Sequence, residues 1–215
     1  LSMNEAEPGP SLRGQRVLVV MARWPAPGRC KRRLGASIGA VSAARIQRRL
    51  TAHTLGVARG LAAACGCCPL LAVAGLGARA AERWGRAAGI KVVVLQGQGS
   101  LGVRLARQFQ RAFRAGARQV LLIGTDLPLL EGADLAAAFA ELEHSPLVLG
   151  PATDGGYWLI GLCRPEPALF CGIDWGSSAV LKQTLQLASQ CRLEPTLMAL
   201  RSDLDRAGDL APWQR

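Results

Sequence analysis

Arg16-Val17-Leu18-Val19-Val20-Met21-Ala22 decides the class of fold. A half-exposed strand alternates apolar and polar residues, but this run is apolar at every position after Arg16, the pattern of a strand covered on both faces in a parallel sheet. Covering both faces requires helices, and the chain supplies them. Ile46, Leu50, Thr54, Val57 and Leu61 recur at three- and four-residue steps and predict a helix over 42–65. A strand over 69–74, a helix over 78–88 and a strand over 91–95 follow. The order β-α-β-α-β calls for a parallel sheet with right-handed crossovers.

The pattern continues downstream. Leu101, Leu105, Phe109, Ala112 and Phe113 give the next helix its buried face, while Arg104, Arg107, Arg111, Arg114 and Arg118 run along another. That stripe reads as a solvated face, and only Arg104, in the first turn, lies close enough to the strand ends to reach a ligand. Gln119–Ile123 is the clearest strand, with a helix expected over 132–143. Leu147–Leu162 holds two apolar runs flanking Pro151-Ala152-Thr153-Asp154-Gly155-Gly156. A helix reaching Gln190 and a strand over 193–200 complete the set. Residues 1–15, with Pro8-Gly9-Pro10, read as a disordered leader, and 16–215 as a single domain.

Composition narrows the function classes. The formal charge is +11, almost wholly from arginine, since the lysines are Lys31, Lys91 and Lys182 alone. Anions are therefore welcome partners, but the aromatic content of 5% and the lack of any basic-aromatic block argue against nucleic acid. A phosphorylated small molecule fits better. Seven cysteines without paired C-x-x-C blocks argue against a disulfide framework, and Cys65, Cys67 and Cys68 are too tightly spaced for tetrahedral zinc. No uncharged run of about 18 apolar residues indicates a membrane span. The expectation is a cytoplasmic protein.

Chemistry-bearing residues fall at strand ends. The loop after the first strand, Arg23-Trp24-Pro25-Ala26-Pro27-Gly28-Arg29-Cys30-Lys31-Arg32-Arg33-Leu34, cannot be helical at its prolines and turns at Gly28. It reads as a phosphate cradle, because open α/β sheets bind ligands at the carboxyl ends of their strands. Asp126 follows the clearest strand and Asp154 sits on the glycine turn, so the two acids end neighbouring core strands. Mg²⁺ is typically held by one or two carboxylates plus substrate phosphates and water, and these two could supply them. Gln96-Gly97-Gln98-Gly99-Ser100-Leu101-Gly102 is a second glycine-rich turn, though it lacks the last glycine of a dinucleotide fingerprint. Ser177 or Ser178 is expected to cap the helix after Trp175 and leave its amides to an anion. His53, beside an apolar face, reads as packed.

Four stretches in order, R-W-P-A-P-G-R-C-K-R-R-L, G-T-D-L-P-L-L, L-G-P-A-T-D-G-G-Y-W-L-I-G-L and W-G-S-S-A-V-L, resemble the bacterial glycosyltransferase-A-like proteins known as rSAM/selenodomain-associated transferases. The resemblance implies a nucleotide-diphospho-sugar transferase fold: an α/β three-layer αβα sandwich with a mainly parallel, Rossmann-like sheet. It implies a transferase using a nucleotide or nucleotide-sugar donor with Mg²⁺ or Mn²⁺, and an acceptor that stays open. The basic first loop and the D-x-P turn are similar to those of nucleotidyltransferases, so a guanylyl- or cytidylyl-type transfer to a small phosphorylated acceptor is the alternative. Carried over by position, Lys31 and Arg33 contact phosphate. The turns and helix starts add Pro27, Gly28, Gly99, Arg104, Gly155, Gly156, Ser177 and Ser178 as nucleotide- or phosphate-binding candidates. Asp126 and Asp154 are catalytic and metal-binding together with Lys31 as the catalytic cation, and L-D-R-A-G-D-L adds Asp205 as a metal ligand. Where the family reads G-D-L-G-E-R this chain has G-S-L-G-V-R, and where it reads K-T-R-L this chain has K-R-R-L. The changes at Ser100 and Val103 motivate a reading of another class, a non-catalytic nucleotide or polyanion binder.

Overall fold

The computed structural model describes residues 12–213. Most of the expected leader lies outside them. Of its last residues Leu12 is buried and its amide donates to the Ala115 carbonyl, while 13–15 are exposed.

The strands are β1 (Arg16–Arg23), β2 (Cys68–Ala74), β3 (Val92–Leu95), β4 (Gln119–Ile123), β5 (Leu147–Pro151), β6 (Tyr157–Leu162) and β7 (Pro195–Leu197). They form one sheet in the order β3-β2-β1-β4-β6-β5-β7. The helices are α1 (Arg32–Ile38), α2 (Ala40–Cys65), α3 (Ala78–Ala87), α4 (Leu101–Arg114), α5 (Gly132–Glu141) and α6 (Val180–Gln190). Alternate residues of β1 serve opposite faces. Leu18, Val20 and Ala22 pack with α2, α3 and α5 through Leu55, Ala81 and Phe139. Val17 and Val19 pack with α4 and α6 through Phe109 and Ala188. This is the three-layer αβα sandwich, and burial of both faces is why β1 carries no polar alternation.

Three expectations need correction. The strand between β4 and β5 is β6, antiparallel to both, so Asp154 comes beside the end of β4 at the start of β6 and not at the end of a neighbouring parallel strand. The connection over 152–156 is five residues long, far too short for a parallel crossover of a dozen or more, and must be a hairpin. Residues 32–34, expected in the basic loop, instead begin α1 once the chain has passed Pro25 and Pro27. The last strand is only Pro195–Leu197. No helix among the described residues is long and apolar enough to cross a membrane.

Candidate functional site

The carboxyl ends of β1 and β4, the β5–β6 turn, the segment before α6 and the tail at Asp203 and Asp205 enclose a cleft of about 980 Å³. Its centre is Lys31. This residue takes the left-handed conformation, φ 46° and ψ 48°, as α1 starts behind it, and its side chain is only 2% exposed. The ammonium lies 2.7 Å from Asp126 Oδ1 and 4.0 Å from Asp205 Oδ1, and donates to the Leu204 carbonyl. Arg33 Nη1 pairs with Asp205 Oδ2 at 3.2 Å. The Leu204 amide donates to the Asp126 carbonyl at 2.9 Å. Loop, strand exit and tail are thus joined at one cation.

Asp154 reaches the cleft from the hairpin turn, where Oδ1 accepts from the Gly156 amide at 2.9 Å. The turn needs Gly155 for two reasons. Its φ is +88°, and a Cβ there would lie 2.2 Å from the Ser178 carbonyl oxygen. That close approach lets the Gly155 carbonyl accept from the Leu181 amide at 2.9 Å. Neither serine caps α6, whose N-cap is Ala179. Ser177 Oγ instead accepts from the Ala179 amide at 3.2 Å. With the 179 and 181 amides taken, the start of α6 is a poorer anion seat than expected.

Of the other expected residues, Gly28, Arg104, Gly156 and Ser177 line the cleft, whereas Pro27, Gly99, Gly155 and Ser178 do not. The arginine stripe is not a plain solvated face. Arg107 donates to the Gln96 and Gln98 carbonyls at 2.6 and 2.9 Å, and Arg111 to the Leu95 carbonyl at 3.3 Å, so both brace the β3–α4 turn. Residues 57–177 match the family described as an uncharacterized protein conserved in bacteria, DUF2064. The chain belongs to this family.

This DUF2064 chain is similar to a Desulfovibrio desulfuricans G20 protein provisionally assigned as a nucleotide-diphospho-sugar transferase, at TM-score 0.82 and 29% identity over 94% of this chain and 87% of that one. It also shares its fold with 4-diphosphocytidyl-2C-methyl-D-erythritol synthase from Anaerococcus prevotii DSM 20548, at TM-score 0.60 and 9% identity over 94% and 99% of the two chains. A CMP:2-keto-3-deoxy-manno-octonic acid synthetase complexed with CTP gives TM-score 0.57 and 12% identity over 93% and 97%. No curated protein matches. The nucleotide-diphospho-sugar transferase fold expected from the four motifs is therefore the fold of this DUF2064 member.

The DUF2064 cleft contains residues that the sequence did not single out. Asp203 is half-buried, and its carboxyl is held above the ordinary range by burial first and by the nearby Asp154, against the pull of a backbone hydrogen bond and Lys31. The signal was available: in the extended run Asp203-Leu204-Asp205 the two acids must face one way if Leu204 faces the core, as it does. Arg23, Gln96, Thr125, Tyr157 and Trp175 also line the cleft. Trp175 approaches because Gly102 has no side chain; a Cβ there would lie 2.8 Å from the indole nitrogen. His53 bonds to the Leu130 carbonyl at 2.9 Å but its side chain is exposed, so it is not the packed histidine its position on α2 suggested.

Among the described residues no group of three or more His, Cys, Asp or Glu side chains is placed to hold a metal ion. The expected set Asp126, Asp154 and Asp205 is therefore not a closed cage. The physical reason is Lys31, whose ammonium occupies the face of Asp126 that looks toward Asp205.

Proposed function

We propose that this protein is a transferase that takes a nucleotide or nucleotide-sugar donor and passes a group to a small acceptor. The observation that carries the reading is that Asp126, Asp154, Asp203 and Asp205 line one cleft at the carboxyl edge of the sheet, with Lys31 seated between Asp126 and Asp205. The similarity to the D. desulfuricans protein supports it. Acids and cations packed together suit diphosphate chemistry, where positioning and charge stabilisation dominate and no protein nucleophile is required.

The donor set fits a hard divalent cation such as Mg²⁺ or Mn²⁺. It is built of carboxylate oxygens, and the one thiol lining the cleft, Cys30, is held protonated by burial. Asp203 is raised by burial first and then by Asp154, and a cation beside the acids offsets the repulsion between them. Asp126 and Asp154 would hold the ion, which supplies neutralisation of the donor's phosphates when bound. Lys31 lies beside Asp126 and Arg33 beside Asp205, where a donor that draws them off those acids would be held by its phosphates. Ser100 still caps α4, accepting from the Val103 amide at 3.4 Å, so the departure from the family pattern keeps the loop's architecture; the similarity to a transferase favours an enzyme over an inert binder.

The test is a panel of nucleotides and nucleotide sugars screened by melting shift with and without Mg²⁺. A Mg²⁺-dependent rise for at least one donor is expected, and its loss in Asp126→Ala. Calorimetry showing unchanged donor affinity in that variant would overturn the two-acid site.

A further inference from the structure

The cleft is electrically divided. Lys31 and Arg33 are committed to Asp126 and Asp205. Arg23, Arg29 and Arg104 line the same cleft, yet among the described residues none of them is within ion-pair distance of a carboxylate. Arg104 touches only neutral oxygens: Gln96 Oε1 at 3.0 Å and the Ser100 carbonyl at 3.5 Å.

Gln96 fixes this arrangement. It is 4% exposed, and its amide nitrogen donates to the Ala22 carbonyl at 3.2 Å and the Ala72 carbonyl at 3.0 Å. The amide oxygen is thereby turned toward α4, where it holds the Arg104 guanidinium beside the exit of β1, the position of Arg23. The two cations feel each other: Arg104 is held below the usual arginine range by burial first, then by Arg23 and Arg107. Arg107 is already bound to loop carbonyls, but Arg23 makes no side-chain hydrogen bond among the described residues. Two guanidiniums lining one cleft, neither paired with a carboxylate, lower their energy when an anion joins them.

We propose that Arg23 and Arg104, with Arg29 at the rim, form an oxyanion subsite for a phosphate or carboxylate group of the substrate, distinct from the Lys31–Asp126 cluster. The subsite stands on the arginine geometry. It rests on the transferase reading only in deciding which substrate carries the anion.

The probe is inorganic phosphate, titrated into the full chain by calorimetry at low salt without nucleotide or metal. Arg23→Gln, at an exposed side chain that holds nothing else in place, is expected to weaken phosphate binding by about tenfold. Arg104→Lys keeps the charge and loses the planar fork, and should weaken it by about threefold or more. Arg114→Gln removes the same charge from α4 outside the cleft and should change affinity less than about twofold. Equal effects of Arg23→Gln and Arg114→Gln, or none from either cleft variant, would overturn the subsite.

A second titration at saturating donor separates the sources. Phosphate that still binds marks an anionic acceptor, and phosphate that is displaced marks the donor's own phosphates. If no donor binds at all, the transferase reading fails while the first titration still decides the subsite.

Discussion

At the scale of single residues, Lys31 and Gly155 carry the site. Lys31 is a cation already resting on Asp126, at 2.7 Å, so it competes with any divalent ion for that acid. Lys31→Met is expected to tighten Mn²⁺ binding by about fivefold, roughly 1 kcal/mol, and to weaken binding of a Mg²⁺–nucleotide by about tenfold. Calorimetry of both ligands checks this, since a residue that only stapled the fold would shift neither in that opposed way. Gly155 makes a stability prediction. With φ at +88° and the Ser178 carbonyl oxygen 2.2 Å from any added Cβ, Gly155→Ala must strain the backbone and push the hairpin off α6. The expected loss is about 3 kcal/mol in urea unfolding, with Asp154 displaced from the cleft.

At the scale of elements, hydrophobic periodicity placed nearly every helix and strand because packing on a sheet is what the pattern records. What it misread were the places where short-range geometry overrides the pattern. A five-residue turn forced β6 antiparallel, and α1 formed from a run so basic that it read as loop. The α2–β2 junction supplies a pH prediction. Cys67 is buried there and its thiol is pushed up to about 12, by burial first and then by Cys65. Cys68 and Cys163 are raised by burial as well. The folded chain therefore keeps protons that the unfolded chain releases near 9.0, the ordinary thiol value. Unfolded thiols then bind fewer protons than folded ones, so stability is present below that pH and falls as pH rises from there toward about 12. Urea midpoints at mildly and strongly alkaline pH check the sign, and Cys67→Ala should make the decline shallower.

At the scale of the whole molecule, the site is assembled from segments distant in sequence. Lys31 meets Leu204 across 173 positions. The tail is held there by a small apolar cluster in which Leu204, 4% exposed, packs with Leu34, Ala43 and Leu50. Leu204→Ala is expected to cost about 2–4 kcal/mol. Because the tail also carries Asp203 and Asp205, the same change should lower donor affinity. Hydrogen exchange at the Leu204 amide, which donates to the Asp126 carbonyl, reads the opening directly.

The sequence by itself determined that β1 is buried on both faces, that helices cover a mainly parallel sheet, and that Lys31, Asp126 and Asp154 stand at strand exits. These follow from local pattern and turn chemistry, which a linear chain carries in full. Only the tertiary structure decided that Lys31 is seated on Asp126, that Asp203 joins the acids, and that the Gln96 amide holds Arg104 in the cleft that Arg23 also lines. The reason is physical: ion pairing and desolvation depend on distances of a few ångströms between residues up to 173 positions apart, and such distances exist only once the sheet has brought its strand ends together.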